Sequence, residues 1–399
     1  MCIALVAGIW AHASMGQSHD VTVTLGATQK SLKATDPAEL SFSITNNSPQ
    51  TIWILRWHTP FENRFSYDSF EVKKQGKKIP YKGRLVKRAA PQQKDYIAIS
   101  SGETVSTVVD ISQGYDIKLA GQYEIRFRHQ ALRIQGSSTD DGGADGSGTD
   151  GSEDNQQKQF TERTDIQPRV QSNTLCITLS EDRASNSANS LNFATKAAAF
   201  EGCDVGQQSI INTSLDAARN ITQTALDDLI NAPVDQRPTA ERYTTWFGSY
   251  NASRYSSVVA NFTAIDDVLD NKTVTFNCSE CFSDPDYNSF FAYVFPFDPE
   301  NENGPFPVYL CGIFWQVDTT GTDSRAGTIV HEVSHFQYVA LTDDWAYGQT
   351  DAKALAISDP SRAINNADSH EYFAENTPFL AMPRAASPVN LAPVYLLLD

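Results

Sequence analysis

The sequence predicts two domains: an all-β sandwich of the immunoglobulin-like kind, then an α+β domain built around a metal-binding helix. Three observations carry this. From residue 19 to about 135, short runs of alternating polar and apolar residues are parted by turn residues. After residue 200, apolar residues recur at helical spacing. Between the two, residues 136–157 are almost purely small, polar and acidic.

In the first domain, Val21-Thr22-Val23-Thr24-Leu25, Leu40-Ser41-Phe42-Ser43-Ile44 and Tyr123-Glu124-Ile125-Arg126-Phe127 each alternate, as a strand with one buried face does. Asn46-Asn47-Ser48-Pro49 and Ser101-Gly102 supply turns between them. The segment 136–157 cannot bury a core and reads as a flexible acidic insertion. Beyond it, Thr174-Leu175-Cys176-Ile177-Thr178-Leu179 reads as one more strand returning to the sandwich. The expected domain therefore runs 19–180, with a linker at 181–199 and the second domain at 200–399. Residues 1–18 read as a signal peptide region, with an apolar run from Cys2 ending in Ala11-His12-Ala13. No other run is long and apolar enough to span a membrane.

The second domain opens with helical periodicity over 205–231, through Ile211, Leu215, Ala218, Leu226 and Leu229. A strand-rich middle is expected next, containing Phe290-Phe291-Ala292-Tyr293-Val294 and Val308-Tyr309-Leu310. Then comes His331-Glu332-Val333-Ser334-His335, the pattern H-E-x-x-H. On a helix the two histidines, four apart, project from one face and can share a metal ion. The glutamate between them is placed to polarise a water on that ion. Two imidazoles, one oxygen ligand and an open position suit zinc, which makes this a zincin-like metalloprotease domain. Helices are expected from Gly348 to Ser358, stopped by Pro360, and over 366–376.

The third ligand is open at this point. Tyr338 and Leu341 exclude the pattern that adds a third histidine, while Glu371, Glu375 and the pair Asp343-Asp344 are all candidates. Of six cysteines, Cys2 falls in the leader and Cys176 stands alone. Cys203, Cys278, Cys281 and Cys311 form an even set with three possible pairings. A structural zinc at Cys278-Ser279-Glu280-Cys281 is the rival, weakened by the lack of a second such pair.

The stretch Leu341-Thr342-Asp343-Asp344-Trp345-Ala346-Tyr347-Gly348 after the motif resembles the G-T-x-D-x-x-Y-G element of the aspzincins, with Leu341 in place of the first glycine. Arg242 to Tyr250, Val308 to Gly312 and Thr319 to Ser324 extend the resemblance over roughly residues 200–378, nearer the peptidyl-Lys branch than deuterolysin. The resemblance implies His331, His335 and Asp344 as ligands of one Zn²⁺ per chain, Glu332 as general base and Tyr347 as a hydrogen-bond donor to the oxyanion. It favours disulfides Cys203–Cys278 and Cys281–Cys311. It implies that Asp368 and Glu371, three apart and so on one helix face, line a pocket for a substrate lysine. Without it, they read as a solvated acidic face with His370 on the surface.

The expected protein is a secreted zinc endopeptidase, made as an inactive precursor, that hydrolyses peptide bonds on the amino side of lysine. Its first domain would serve as an intramolecular inhibitor. The alternatives are a deuterolysin-like protease of broader specificity and a non-catalytic metal-binding adhesion protein. Partners are lysine-containing proteins and peptides, and the working state is a monomer. A formal net charge of −17 argues against nucleic acid and anionic membranes. Lys196 is the only lysine between Lys158 and Lys272, so Thr195–Lys196 is the expected processing bond.

Overall fold

The computed structural model describes residues 20–128 apart from 30, 34 and 63, then 132, 134–136, 164–166, 170–182 and 198–383. The leader, nearly all of the acidic insertion and the bond Thr195–Lys196 lie outside these residues. The chain divides into two compact units. One comprises Met1–Val86 and Pro91–Asn192; the other comprises Phe193–Asp399 and the four residues Lys87–Ala90. The expected range 19–180 had given those four residues to the first domain.

The first unit is β-rich. One sheet orders the strands Val170–Ser172, Val21–Ala27, Glu39–Asn46 and Thr104–Asp110. A second orders Ser31–Leu32, Thr174–Leu179, Gly121–Phe127, Phe70–Lys74 and Lys77–Ile79. A third orders Thr164–Ile166, Ile134–Gly136, Ile52–Leu55 and Tyr96–Ile99. Alternation sets which face is buried: in Glu39–Asn46 every second residue turns inward, placing Leu40, Phe42 and Ile44 in the core. Thr174–Leu179 pairs antiparallel with Gly121–Phe127, so the chain does come back to the sheet after the insertion. Cys176 is disulfide-bonded, which corrects the expectation that it stands alone. A buried apolar flank on that strand, Leu175 and Ile177, gave no hint of a cross-link.

The second unit is α+β. Its sheet orders Ala199–Glu201, Val274–Asn277, Phe306–Leu310 and Phe290–Val294, with Lys87 and Arg88 at the edge. Helix Val205–Asn231 starts at a capping box, Asp204 and Gln207 each accepting the other's backbone N–H. The expected strands of the middle are present as Phe290–Val294 and Phe306–Leu310. Two helices, Glu241–Phe247 and Ala252–Asn271, precede the strands. The second is rich in β-branched residues, but its core residues Tyr255, Val258, Phe262, Ile265 and Leu269 recur at three- and four-residue steps. Packing of that stripe outweighs strand propensity. Disulfide Cys203–Cys278 closes a loop of 75 residues between the start of the first helix and the end of Val274–Asn277. A loop that long contributes about 4 kcal/mol in the chain-entropy picture. Cys281–Cys311 is the second bond in this unit.

The motif sits on helix Arg325–Ser334, hereafter the motif helix. Ser324 caps it by accepting the Gly327 N–H, and every residue from Ala326 to Ser334 is buried. The helix stops at Ser334 and His335 is its C-cap. Helix Ala367–Glu375, hereafter the acidic helix, packs against it. Among the described residues, no helix is long and apolar enough to cross a membrane.

Candidate active site

His331 and His335 lie on one face of the motif helix and are fully buried. Their Nε2 atoms stand 3.2 and 3.4 Å from the same oxygen, Oδ1 of Asp344. Both Nε2 atoms and both Asp344 oxygens are buried without a hydrogen-bond partner. One ligand atom from each residue fits within a 4.8 Å cluster. Three unpaired polar groups converging in the interior are costly unless something binds them. Two imidazoles and a carboxylate are the donor set of a zinc site with an open position. His335 Nδ1 lies 2.9 Å from the Thr342 carbonyl. Donating there leaves the Nε2 lone pair for a metal.

The chain reaches this site through a tight return. After the motif helix, Leu341 takes φ +48°. Thr342 N–H then donates to Ser334 O at 3.2 Å, and the Ser334 and Thr342 hydroxyls meet at 2.6 Å. Asp343 is pinned by backbone bonds to the next helical turn, its N–H donating to Asn365 O and its carbonyl accepting from Ala367 N–H. In extended chain, neighbours face opposite ways. Asp344, not Asp343, therefore faces the histidines. Glu375, one of the open ligand candidates, instead accepts hydrogen bonds from Asp323 N–H, Ser324 N–H and the Ser324 hydroxyl, steadying the start of the motif helix.

Glu332 is fully buried, with both carboxylate oxygens free of hydrogen bonds, and burial pushes its pKa up to about 8. Tyr347 is 2 % exposed and immediately precedes helix Gly348–Ser358. The two histidines and Asp344 pull in opposite senses. Burial disfavours the charge on both His331 and Asp344. Asp344 is nonetheless held well below the usual carboxylate range by the two imidazoles, and His331 is raised by the surrounding carboxylates.

Behind His331 lies a second acidic group. Asp368 Oδ1 is 2.9 Å and Glu371 Oε2 is 3.3 Å from His331 Nδ1. The other Asp368 oxygen accepts the Gly348 N–H at 2.6 Å. Both acids are fully buried, not solvated. His370 is buried as well, which corrects its reading as a surface residue. An ammonium shares this space. Lys87 Nζ is 2.5 Å from Glu371 Oε2, 3.4 Å from Asp323 Oδ1 and 3.8 Å from Asp368 Oδ1. It also lies 4.8 Å from the centre of the Phe291 ring. Burial alone would lower the Lys87 pKa, but Glu371, Asp368 and Asp323 raise it well above the ordinary value. Glu371 moves up through burial, opposed by that same ammonium. Sequence reasoning missed Lys87 and Asp323. Asp323 belongs to the Thr319–Ser324 run, a signal that was available; Lys87 stands 284 residues from Glu371 and gave none.

A model of the lysine-specific metallo-endopeptidase family, the aspzincins, matches residues 234–375. The chain is 36 % identical over 378 residues to an extracellular protease of Aeromonas hydrophila, covering 94 % of this chain and 96 % of that one. It is 44 % identical over 186 residues to a peptidyl-Lys metalloendopeptidase of Grifola frondosa, covering 46 % and 48 %. A solved zinc peptidase of Grifola frondosa aligns at 40 % identity over 45 % of this chain and all of that one, with a TM-score of 0.38. Identity held over nearly the whole length of the Aeromonas relative, together with the family match across the site, sets aside the non-catalytic reading: the chain belongs to the aspzincin family of lysine-specific metallo-endopeptidases and is a zinc-dependent endopeptidase.

Proposed function

We propose that this endopeptidase is secreted, is made as a precursor, and cleaves on the amino side of lysine. The observation that carries the specificity is the buried carboxylate group beside the metal-ligating face: Glu371, Asp368 and Asp323 gather around one ammonium next to His331. Such a site attracts a lysine and repels acidic side chains. The names of the Grifola frondosa relative and of the matching family support the same preference. The extracellular Aeromonas hydrophila relative supports secretion. The one-face-buried sheets of the first unit support an immunoglobulin-like sandwich acting as a propeptide.

His331, His335 and Asp344 would hold one Zn²⁺, and their orphaned buried atoms fit it. When bound, the ion supplies Lewis acidity and lowers the pKa of a water toward about 7. Glu332 takes the proton from the attacking water and passes it to the departing amine. The Tyr347 hydroxyl donates to the oxyanion of the tetrahedral intermediate. Asp368 takes a double part, orienting His331 through Nδ1 and adding negative potential to the lysine pocket.

The test pairs two variants with a substrate map. Glu332→Gln should keep zinc and fold but lose activity by several orders of magnitude, because only the base is removed. Asp344→Ala should lose zinc. A peptide-library digest read by mass spectrometry should show cuts before lysine, with arginine poorer because its broad planar guanidinium suits a compact pocket less well. Cuts clustered at apolar residues would sink the lysine pocket and favour deuterolysin-like breadth. Retention of more than about a tenth of the wild-type rate in Glu332→Gln would remove the general-base assignment.

A further inference from the structure

Lysine is unevenly spread along this chain. Eleven of its fourteen lysines precede Thr195, and beyond Lys196 only Lys272 and Lys353 occur, against seven arginines. Lysine, rather than positive charge as such, is scarce in the second part. The two that remain there are held. Lys353 lies inside helix Gly348–Ser358, its Nζ 4.9 Å from the centre of the Trp246 ring. Lys272 is the C-cap of helix Ala252–Asn271, its N–H donating to Val268 O. Its Nζ lies 2.9 Å from Asp267 Oδ2 and donates to Glu302 O at 2.7 Å. A protease takes its substrate as extended chain, so either bond is reached only after helix unwinds. The first unit differs. Its strands Phe70–Lys74 and Lys77–Ile79 form a hairpin around Gln75 and Gly76, with φ +51° and +80°. Lys73 stands directly opposite Lys78, and Lys74 opposite Lys77. Like charges so placed weaken a strand pair. Lys77 and Lys78 are exposed, and Lys77–Ile79 is the outermost strand of its sheet among the described residues.

We propose that the amino-terminal unit is itself a substrate of the enzyme, and that Gly76–Lys77 in this hairpin is the first of its bonds to be cut. This rests on the reading above that the enzyme cleaves before lysine. Lys77 supplies the side chain for that preference. Lys77–Ile79 is already extended, with one edge open for pairing as a bound peptide strand pairs. Of the three cross-strand pairs that hold it, two set lysine against lysine, so it opens at small cost. Water adds to the Gly76 carbonyl carbon, the bond to the Lys77 nitrogen breaks, and that nitrogen takes a proton. Gly76 is left as a carboxylate and Lys77 as a new amino terminus. The cut puts Phe70–Lys74 on one piece and its sheet neighbour Gly121–Phe127 on the other. Lysines on an edge strand also guard against aggregation, but arginine would serve that end too. The scarcity beyond Lys196 singles out lysine. The enzyme thus consumes the fragment that a cut at Thr195–Lys196 would free and spares its own second part.

The experiment mixes a trace of active wild-type protein with an excess of the full chain carrying Glu332→Gln, which cannot cut itself. An Ala-Ala-Lys-Ala-Ala peptide in the same tube reports lysine cleavage. New amino termini are followed by mass spectrometry in native buffer, and circular dichroism checks each chain. The terminus at Lys77 should appear about tenfold faster, or more, than those at Lys272 and Lys353, because the hairpin opens more readily than the helices. In a substrate chain that also carries Lys77→Arg and Lys78→Arg, charge and pairing are kept, and the amino-terminal unit should persist about fivefold longer or more. An amino-terminal unit left whole while the peptide is consumed overturns the proposal and leaves the lysine preference standing. A peptide not cut before lysine overturns both. Equal rates at Lys77, Lys272 and Lys353, or an unchanged lifetime of the arginine chain, overturn the hairpin as the first site. An unfolded substrate would be cut at all three lysines alike, so misfolding cannot imitate the expected result.

Discussion

Leu341 shows how one residue departs from its family's pattern without moving the site. It takes φ +48° in the return from the motif helix to Asp344, a conformation that costs a side chain about 1–2 kcal/mol and glycine almost nothing. The side chain is 46 % exposed, so burial offsets little of that cost. Leu341→Gly should therefore stabilise the protein by about 0.5–1 kcal/mol, once the greater freedom of unfolded glycine is subtracted. Zinc affinity should stay unchanged. Urea midpoints with metal titration check this, and a loss of stability would show that the leucine side chain matters more than its backbone. At this scale the sequence was readable where chemistry repeats at short range. H-E-x-x-H places two imidazoles by helix geometry alone. The acid that joins them was open among Glu371, Glu375 and the Asp343-Asp344 pair until the family pattern ordered them, because a turn of unknown shape separates them from the helix. Lys87 was illegible, since its partners Asp323, Asp368 and Glu371 all lie more than 200 residues away.

Whole elements were readable when their apolar rhythm agreed with propensity. Helices Val205–Asn231 and Gly348–Ser358 have the expected bounds. Ala252–Asn271 was not singled out, although its core residues recur at the three-and-four spacing of a helix. That helix meets the acidic helix at His370. The imidazole Nδ1 is 3.0 Å from Asn366 O and must donate, so Nε2 is left to accept from the Asn261 side-chain amide at 3.1 Å. The rings of Phe247 and Phe262 stand 5.2 and 5.4 Å away. A second proton would face two donors at each other in a desolvated place. Burial accordingly lowers the His370 pKa to about 4. Because the folded value lies below the unfolded one, this histidine stabilises the fold above about pH 6.5, and that contribution is lost as pH falls toward 4. The wild-type urea stability should fall more steeply than that of His370→Gln across this window, by up to about 1.4 kcal/mol per pH unit. Parallel slopes for the two proteins would show that His370 is already protonated or is not the coupling group.

At the scale of the molecule, composition was enough to separate a β-rich first unit from an α+β second one, but not to assign Lys87–Ala90. Sequence continuity put those four residues with the strands around them, whereas their contacts put them in the second unit. Lys196 is the only lysine in the long stretch between Lys158 and Lys272, close in sequence to the boundary between the two units at Asn192 and Phe193. An enzyme that cuts before lysine meets at Thr195–Lys196 a bond whose cleavage parts the chain into an amino-terminal and a carboxy-terminal fragment, and segments between domains are favoured sites of proteolysis. The wild-type chain should therefore mature to a new amino terminus at Lys196, and Glu332→Gln purified free of host proteases should stay whole. Lys196→Ala should also stay whole at that bond while keeping its zinc. Amino-terminal sequencing of the three proteins decides the matter. A cut at 195–196 in Glu332→Gln would mean that another protease does the work, and an unchanged terminus in Lys196→Ala would mean that the lysine has no part in it.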